Sequence, residues 1–174
     1  DILISNAGNA TSGMMLELDD KNLREAFELN FFAHKSFAVE AAKIMKLQNR
    51  GGQILFNISK QAINPGSNMG AYGLPKATTM FLMRQLALEL GSNKIRVNGV
   101  NADRVRSGLL TDNFISERSK NRGISEQVYM EGNLLKQEVE AKHVAEGFRA
   151  LAQMKRTTGH ILTVDGGNTA AELR

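Results

Sequence analysis

A doubly wound α/β fold around a parallel sheet is the class predicted by this 174-residue sequence. Short apolar runs at Ile2 to Ile4, Gln53 to Ile58, Ile95 to Val100 and Ile161 to Val164 have the length and character of buried strands. Between them lie stretches whose apolar residues recur at helical spacing. Strands that alternate with helices bury both faces of a parallel sheet, so the order of the elements already implies the layering. With 42% apolar residues and no break in composition, the chain reads as one domain.

The run Asp1-Ile2-Leu3-Ile4 reads as a buried strand that leads into Ser5-Asn6-Ala7-Gly8. With no initiator methionine and no polar lead-in, it is expected to be a truncated N-terminus. Asp19-Asp20 opens an acidic helix start before Leu23, Ala26, Phe27 and Asn30, and the pattern continues through Phe31, Phe37, Ala41, Ile44 and Met45. It stops at Arg50-Gly51-Gly52, so one long helix, or two joined in line, is expected. The strand from Gln53 ends at Ser59, and residues 60 to 71, with Asn64-Pro65-Gly66 and Asn68, read as a loop.

A second helix is expected from about Tyr72 to Leu90, because Pro75 is tolerated only in a first turn. Ile95 to Val100 gives a third strand. Residues 106 to 135 are polar and weakly periodic, and read as a mobile insertion with short helices. Val139 to Met154 is a further helix, and Gly159 to Gly167 closes the chain with a strand and a turn.

Composition excludes several functions. The absence of cysteine removes disulfides, thiolate metal sites and a cysteine nucleophile, and agrees with a reducing, cytoplasmic setting. No apolar run approaches the roughly 18 residues of a membrane span. The net charge of +4 is spread over scattered basic residues with only two tyrosines, which argues for a solvated surface and against nucleic acid. His34 lies in a helix, His143 on a helix face and His160 before the last strand, with no ligand spacing for a metal. The eight methionines read as packing, with Met14, Met15 and Met69 less certain loop positions.

Tyr72 and Lys76 carry the chemistry. A tyrosine and a lysine four apart on a helix share a face, about 6 Å apart along the axis. A phenol ordinarily titrates near 10, and an adjacent ammonium is expected to lower that value and bring proton exchange within range. Such a pair suits redox chemistry between carbonyl and alcohol. Read singly, Tyr72 and Lys76 are also compatible with a surface pair, Ser59 with a hydroxyl that caps a turn, and Asn30 with an amide that satisfies a helix junction.

Taken in order along the chain, these residues resemble the short-chain dehydrogenase/reductase family. Ser5-Asn6-Ala7-Gly8 is similar to the family's Asn-Asn-Ala-Gly strand end, and Asn30 matches its helix asparagine. Ser59 and Tyr72-Gly-Leu-Pro-Lys76 match the catalytic serine and the Tyr-x-x-x-Lys pair. Ile95 to Val100 resembles the Ile-Arg-Val-Asn strand, and Val164-Asp165-Gly166-Gly167 the C-terminal Val-Asp-Gly-Gly.

The resemblance implies a Rossmann-like fold that lacks the family's first strands and its Gly-rich phosphate loop, so residues 1–174 would be the C-terminal part of a single such domain. It implies NAD or NADP as cofactor, NAD being favoured, a small alcohol or aldehyde as substrate, and a homodimer or homotetramer paired through helices at about 20 to 49 and 72 to 90. Tyr72 would be the acid/base, Ser59 would hold the substrate oxygen, and Lys76 would tune Tyr72 and hold ribose hydroxyls. Asn30 would anchor a water of a proton relay. Asn6, Ala7 and Gly8 would lie along the cofactor's ribose and adenine side, and Val105 and Ser107 near the carboxamide.

The segments Phe56 to Ala62, Asn101 to Ser107 and Asp165 to Asn168 further resemble the dehydrogenase half of bifunctional rhamnulose-phosphate aldolase/lactaldehyde dehydrogenases. The family's Pro-Gly after the third strand is replaced by Ala102-Asp103, and Arg104 and Arg106 beside it suggest an anionic substrate or a cofactor phosphate. The missing phosphate loop leaves a second reading open, in which the chain is an assembly module that keeps the fold without binding dinucleotide.

Overall fold

The computed structural model describes residues 1–168. Four strands, β1 (Ile2–Ser5), β2 (Gly52–Asn57), β3 (Ile95–Ala102) and β4 (Ile161–Val164), form one sheet in sequence order, every pair parallel. The long helix expected after β1 is two α-helices in line, α1 (Asp20–Phe27) and α2 (Ala33–Gln48), joined by a π-helical turn at Glu28–Phe32. Asp19 caps α1, its carboxylate accepting from the Lys21 amide. Asn49 ends α2 in the left-handed conformation.

Helix α3 (Gly70–Leu90) begins two residues earlier than the sequence predicts. Pro75 therefore lies beyond the first turn. The first turn is closed by the Met69 carbonyl, which accepts from both Tyr72 and Gly73, so the helix is already formed before proline removes a donor. Strand β3 runs two residues longer than expected, while β2 stops at Asn57, although the Ile58 amide still donates to the Val100 carbonyl.

Alternation along the strands divides the core between two faces. Ile54 and Phe56 on β2 and Ile95 and Val97 on β3 pack against Ala38, Ala42 and Met45 of α2 and Met83, Leu86 and Leu90 of α3. Leu55 and Val100, pointing the other way, meet Phe148 and Leu151 of α6 (Ala141–Gln153). Gly147 lets α6 sit close to the sheet, since a Cβ there would lie 2.9 Å from Val164 Cγ2.

Strand β1 forms the sheet edge, and there the expected burial does not hold. Ile2 is 53% and Ile4 51% exposed, because β2 is the only strand that pairs with β1 among the described residues. The polar segment after β3 does form short helices, α4 (Asp112–Lys120) and α5 (Glu126–Met130), folded around a small core of Leu110, Ile115, Tyr129 and Met130. No helix among the described residues is long and apolar enough to cross a membrane.

Candidate active site

Three parallel strands in register end together, and a cavity of about 730 Å³ opens at their carboxyl ends. Strand β1 delivers Asn6, Ala7 and Gly8 to it, β2 delivers Ser59, and β3 delivers Asp103, Arg104, Val105 and Ser107. The first turns of α3 add Tyr72 and Lys76. Phe114 and Arg118 of α4 and Tyr129 of α5 close the far side. All of the expected cavity residues are brought together except Asn30, which lies one layer behind.

Ser59 has extended backbone and its Oγ accepts from the Gln61 amide at 3.2 Å, which leaves its proton directed away from the backbone. That hydroxyl hydrogen-bonds the Tyr72 phenol. Lys76 is only 2% exposed, and its Nζ donates to the Asn57 carbonyl at 3.1 Å and lies 5.7 Å from the centre of the Tyr72 ring.

Burial dominates the charge balance of the pair. It pushes the Tyr72 phenol above its ordinary value of 10, and the Ser59 hydrogen bond works against the rise without cancelling it. It pulls the Lys76 ammonium down to about 8. The expectation that Lys76 lowers the phenol is therefore corrected for this structure: removing both groups from water outweighs what the ammonium offers from beside the ring.

Asn30 occupies the π-turn between α1 and α2, and its polar atoms are engaged. Its amide donates to the Ala26 carbonyl at 3.1 Å and the Asn9 carbonyl at 2.9 Å, its Oδ1 accepts from the Asn9 amide, and its own carbonyl accepts from Thr79 Oγ1 at 2.7 Å. Asn30 thus ties the loop after β1 to two helices. Gly8 completes the fit: a Cβ there would lie 3.0 Å from Asn30 Oδ1 and 3.5 Å from Lys76 Nζ.

Arg106 does not reach the cavity. It is partly exposed and held by Asp112 and Glu138. Arg104, with a left-handed φ of 50° where the sequence departs from Pro-Gly, donates to the Tyr129 carbonyl and stacks on that ring at 4.7 Å. Asp103 is flanked by Lys60 at 3.6 Å and Arg104 at 3.4 Å, and it accepts from Asn168.

Two residues of the site escape sequence reasoning. His34 stands four residues beyond Asn30 on the same helical face, is almost wholly buried, and shares a 2.6 Å hydrogen bond between Nδ1 and Ser5 Oγ. Burial and the nearby Lys76 ammonium pull it from 6.5 to about 4. Its spacing from Asn30 was the available signal. Arg118 gave no signal, since only the fold of α4 brings it to the cavity.

The neutral His34 has a measurable consequence. Below pH 6.5 the unfolded chain takes up a proton that the folded chain refuses, so stability falls as pH drops from about 6.5 towards about 4. Urea denaturation midpoints at pH 7 and pH 5 are expected to differ in the wild type and to differ less in His34→Gln. Equal pH dependence in the two proteins contradicts this account.

Comparison with known proteins places the chain and its fold in one family. A family model described as enoyl-(acyl carrier protein) reductase matches residues 1–169. An uncharacterized oxidoreductase YuxG of Bacillus subtilis (strain 168) is 37% identical over 185 residues, covering 100% of this chain and 26% of that protein. The 7alpha-hydroxysteroid dehydrogenase of Escherichia coli (strain K12) is 31% identical over 169 residues, covering 96% and 63%. The chain therefore spans less than two thirds of these curated relatives. A 4-hydroxyisoleucine dehydrogenase complexed with NADH shares the fold with a TM-score of 0.82 at 24% identity, over 99% of this chain and 70% of that one. With a parallel sheet of this topology, and a family match from the first residue to the end of the described chain, the protein belongs to the short-chain dehydrogenase/reductase family.

Proposed function

We propose that the full-length protein is a nicotinamide-dependent dehydrogenase that interconverts a small alcohol and its carbonyl compound, with Tyr72 as the proton-transferring group. The observation that carries this reading is the convergence of Ser59, Tyr72 and Lys76 on one cavity at the carboxyl ends of the strands. The cavity suits the nicotinamide end of NAD or NADP, because Gly8 leaves the backbone close to Lys76 with no side chain in the way. No glycine-rich loop for the pyrophosphate stands in these 174 residues. When bound, the dinucleotide supplies the hydride acceptor or donor.

Each residue then has a task that its contacts permit. The Tyr72 phenol, kept protonated by burial, gives its proton to a carbonyl oxygen during reduction and must lose it before an alcohol can be oxidised, so oxidation is favoured at higher pH. The Ser59 hydroxyl proton holds the same oxygen in place. Lys76 spends one hydrogen on the Asn57 carbonyl and keeps two for ribose hydroxyls. The Asn30 carbonyl accepts from Thr79 and keeps its second lone pair for a relay water. Asn6, Ala7 and Gly8 would hold the cofactor along its ribose and adenine side, and Val105 and Ser107 would hold it near the carboxamide.

NAD is the favoured cofactor and a lactaldehyde-like compound the substrate suggested by the subgroup resemblance. In the competing reading, an assembly module, the exposed apolar faces of the helices do the work.

Tyr72→Phe in the full-length protein is expected to lower hydride transfer, followed as NADH absorbance, by about 100- to 10,000-fold while calorimetry shows dinucleotide binding retained. Undiminished turnover refutes the role of Tyr72, and a wild-type protein that binds neither NAD nor NADP favours the assembly module.

The helices also suggest how copies associate. Leu47 of α2 is 86% and Leu88 of α3 80% exposed, and Phe37, Ile44 and Phe81 extend the apolar surface, which suits a homodimer or homotetramer paired through these helices. Sedimentation is expected to show an oligomer that Phe81→Glu with Leu88→Glu converts to monomer. A monomeric wild type contradicts the proposal.

A further inference from the structure

The cavity wall opposite Tyr72 and Lys76 has a charge pattern that neutral-alcohol chemistry does not use. The charged residues that line the cavity as a whole are Lys76, Arg104, Arg118 and Asp103. Asp103, the one acid among them, is already shared by Lys60, Arg104 and Asn168. Arg104 is fixed against Tyr129. Arg118 is different.

Arg118 rises from the last turn of α4 and reaches back to the loop before α3, where its guanidinium donates one hydrogen bond to the Ser67 carbonyl at 3.0 Å. The guanidinium lies 5.1 Å from the centre of the Phe114 ring, which shields one face. Its Nε is buried and has no hydrogen-bond partner, and no carboxylate among the described residues pairs with it. A buried guanidinium donor without an acceptor loses the water it had in the unfolded chain and gains nothing in return. Arg118 lines the cavity, and its guanidinium has more N–H donors than the one given to Ser67, so a ligand that accepts from those donors offsets part of that loss. The planar fork of arginine matches the two oxygens of a carboxylate or phosphate.

We propose that the substrate of this site carries a carboxylate or phosphate, and that Arg118 receives this oxyanion while the hydroxyl or carbonyl carbon faces Ser59 and Tyr72. The inference rests on the dehydrogenase reading, narrows its substrate from small alcohols in general to anionic ones, and so replaces the neutral lactaldehyde suggested by the subgroup resemblance. Lys60 and Arg104 leave the surrounding potential positive once Asp103 is neutralised between them, so an anion is drawn to this wall and a cation is repelled. Met69, Leu110 and Phe114 line the same cavity as Arg118, which suits an apolar link between the oxyanion and the reacting carbon.

Two measurements on the full-length protein test this. The first needs no turnover: melting temperature is followed as inorganic phosphate or acetate is added at constant ionic strength, for wild type and Arg118→Gln, with and without saturating NAD. The expected result is a rise in the wild type that persists with NAD and is lost in Arg118→Gln. An equal rise in both proteins, or none in the wild type, overturns the proposal. A rise that disappears once NAD is saturating assigns Arg118 to the dinucleotide phosphates and overturns it too.

The second measurement compares kcat/KM for 3-hydroxybutyrate and its methyl ester. The acid-to-ester ratio is expected to fall by about 10- to 100-fold in Arg118→Gln, the worth of a hydrogen bond to a charged group, and to be partly restored in Arg118→Lys. An unchanged ratio overturns the assignment. Absence of turnover with every alcohol and aldehyde strikes the dehydrogenase reading instead, and the anion titration still decides Arg118.

Discussion

A buried ammonium with no acid partner among the described residues is the constraint around which the site is arranged. Lys76 is almost fully removed from water, and the hydrogen bond it gives is to the Asn57 carbonyl at the end of β2. An isolated buried charge is costly, so its surroundings must either neutralise it or present oriented dipoles. Here the strand end offers a carbonyl, His34 stays neutral, and Asn30 fixes the loop after β1 so that Gly8 closes against the ammonium. The lowered Lys76 value is the residue of that cost. A group held this way is poised to change its protonation or its partners when a ligand arrives.

The sheet makes this arrangement possible. Parallel strands in register bring their carboxyl ends to one edge, so three loops distant in sequence share a cavity. Helices α2 and α3 cover one face and α6 the other, which keeps β2 and β3 rigid beneath the cavity. Helices α4 and α5 stand apart from this core and fold on their own small cluster. They carry Phe114, Arg118 and Tyr129, so this wall of the cavity is built separately from the strand ends and the helix α3 turns that carry Ser59, Tyr72 and Lys76. A site divided in this way can keep its chemistry while its specificity changes.

Much of this was legible in the sequence, because period and punctuation report on backbone geometry. The runs at residues 53 to 58 and 95 to 100 became β2 and β3 with shifts of one or two residues, and Asn6 to Gly8, Ser59, Tyr72, Lys76, Val105 and Ser107 all reached one cavity. What failed depended on solvent and tertiary contact. Pro75 marked a helix start too late, since Met69 had already closed the first turn. The Tyr72 shift was expected downward because spacing reveals a neighbouring charge but not burial. Arg106 and Arg118 look alike as sequence, yet only the placement of Asp112 and Glu138 shows that the first is spoken for and the second is not.

The central claim is that this cavity places a nicotinamide ring beside Tyr72 and Ser59, and it is tested most directly by a crystal structure of the full-length protein with NAD. The account predicts density for the nicotinamide ring between the ends of β1 and β2, its reactive carbon facing the Tyr72 hydroxyl and its ribose within hydrogen-bond reach of Lys76. Dinucleotide bound elsewhere, or a nicotinamide ring turned away from Tyr72, would contradict it.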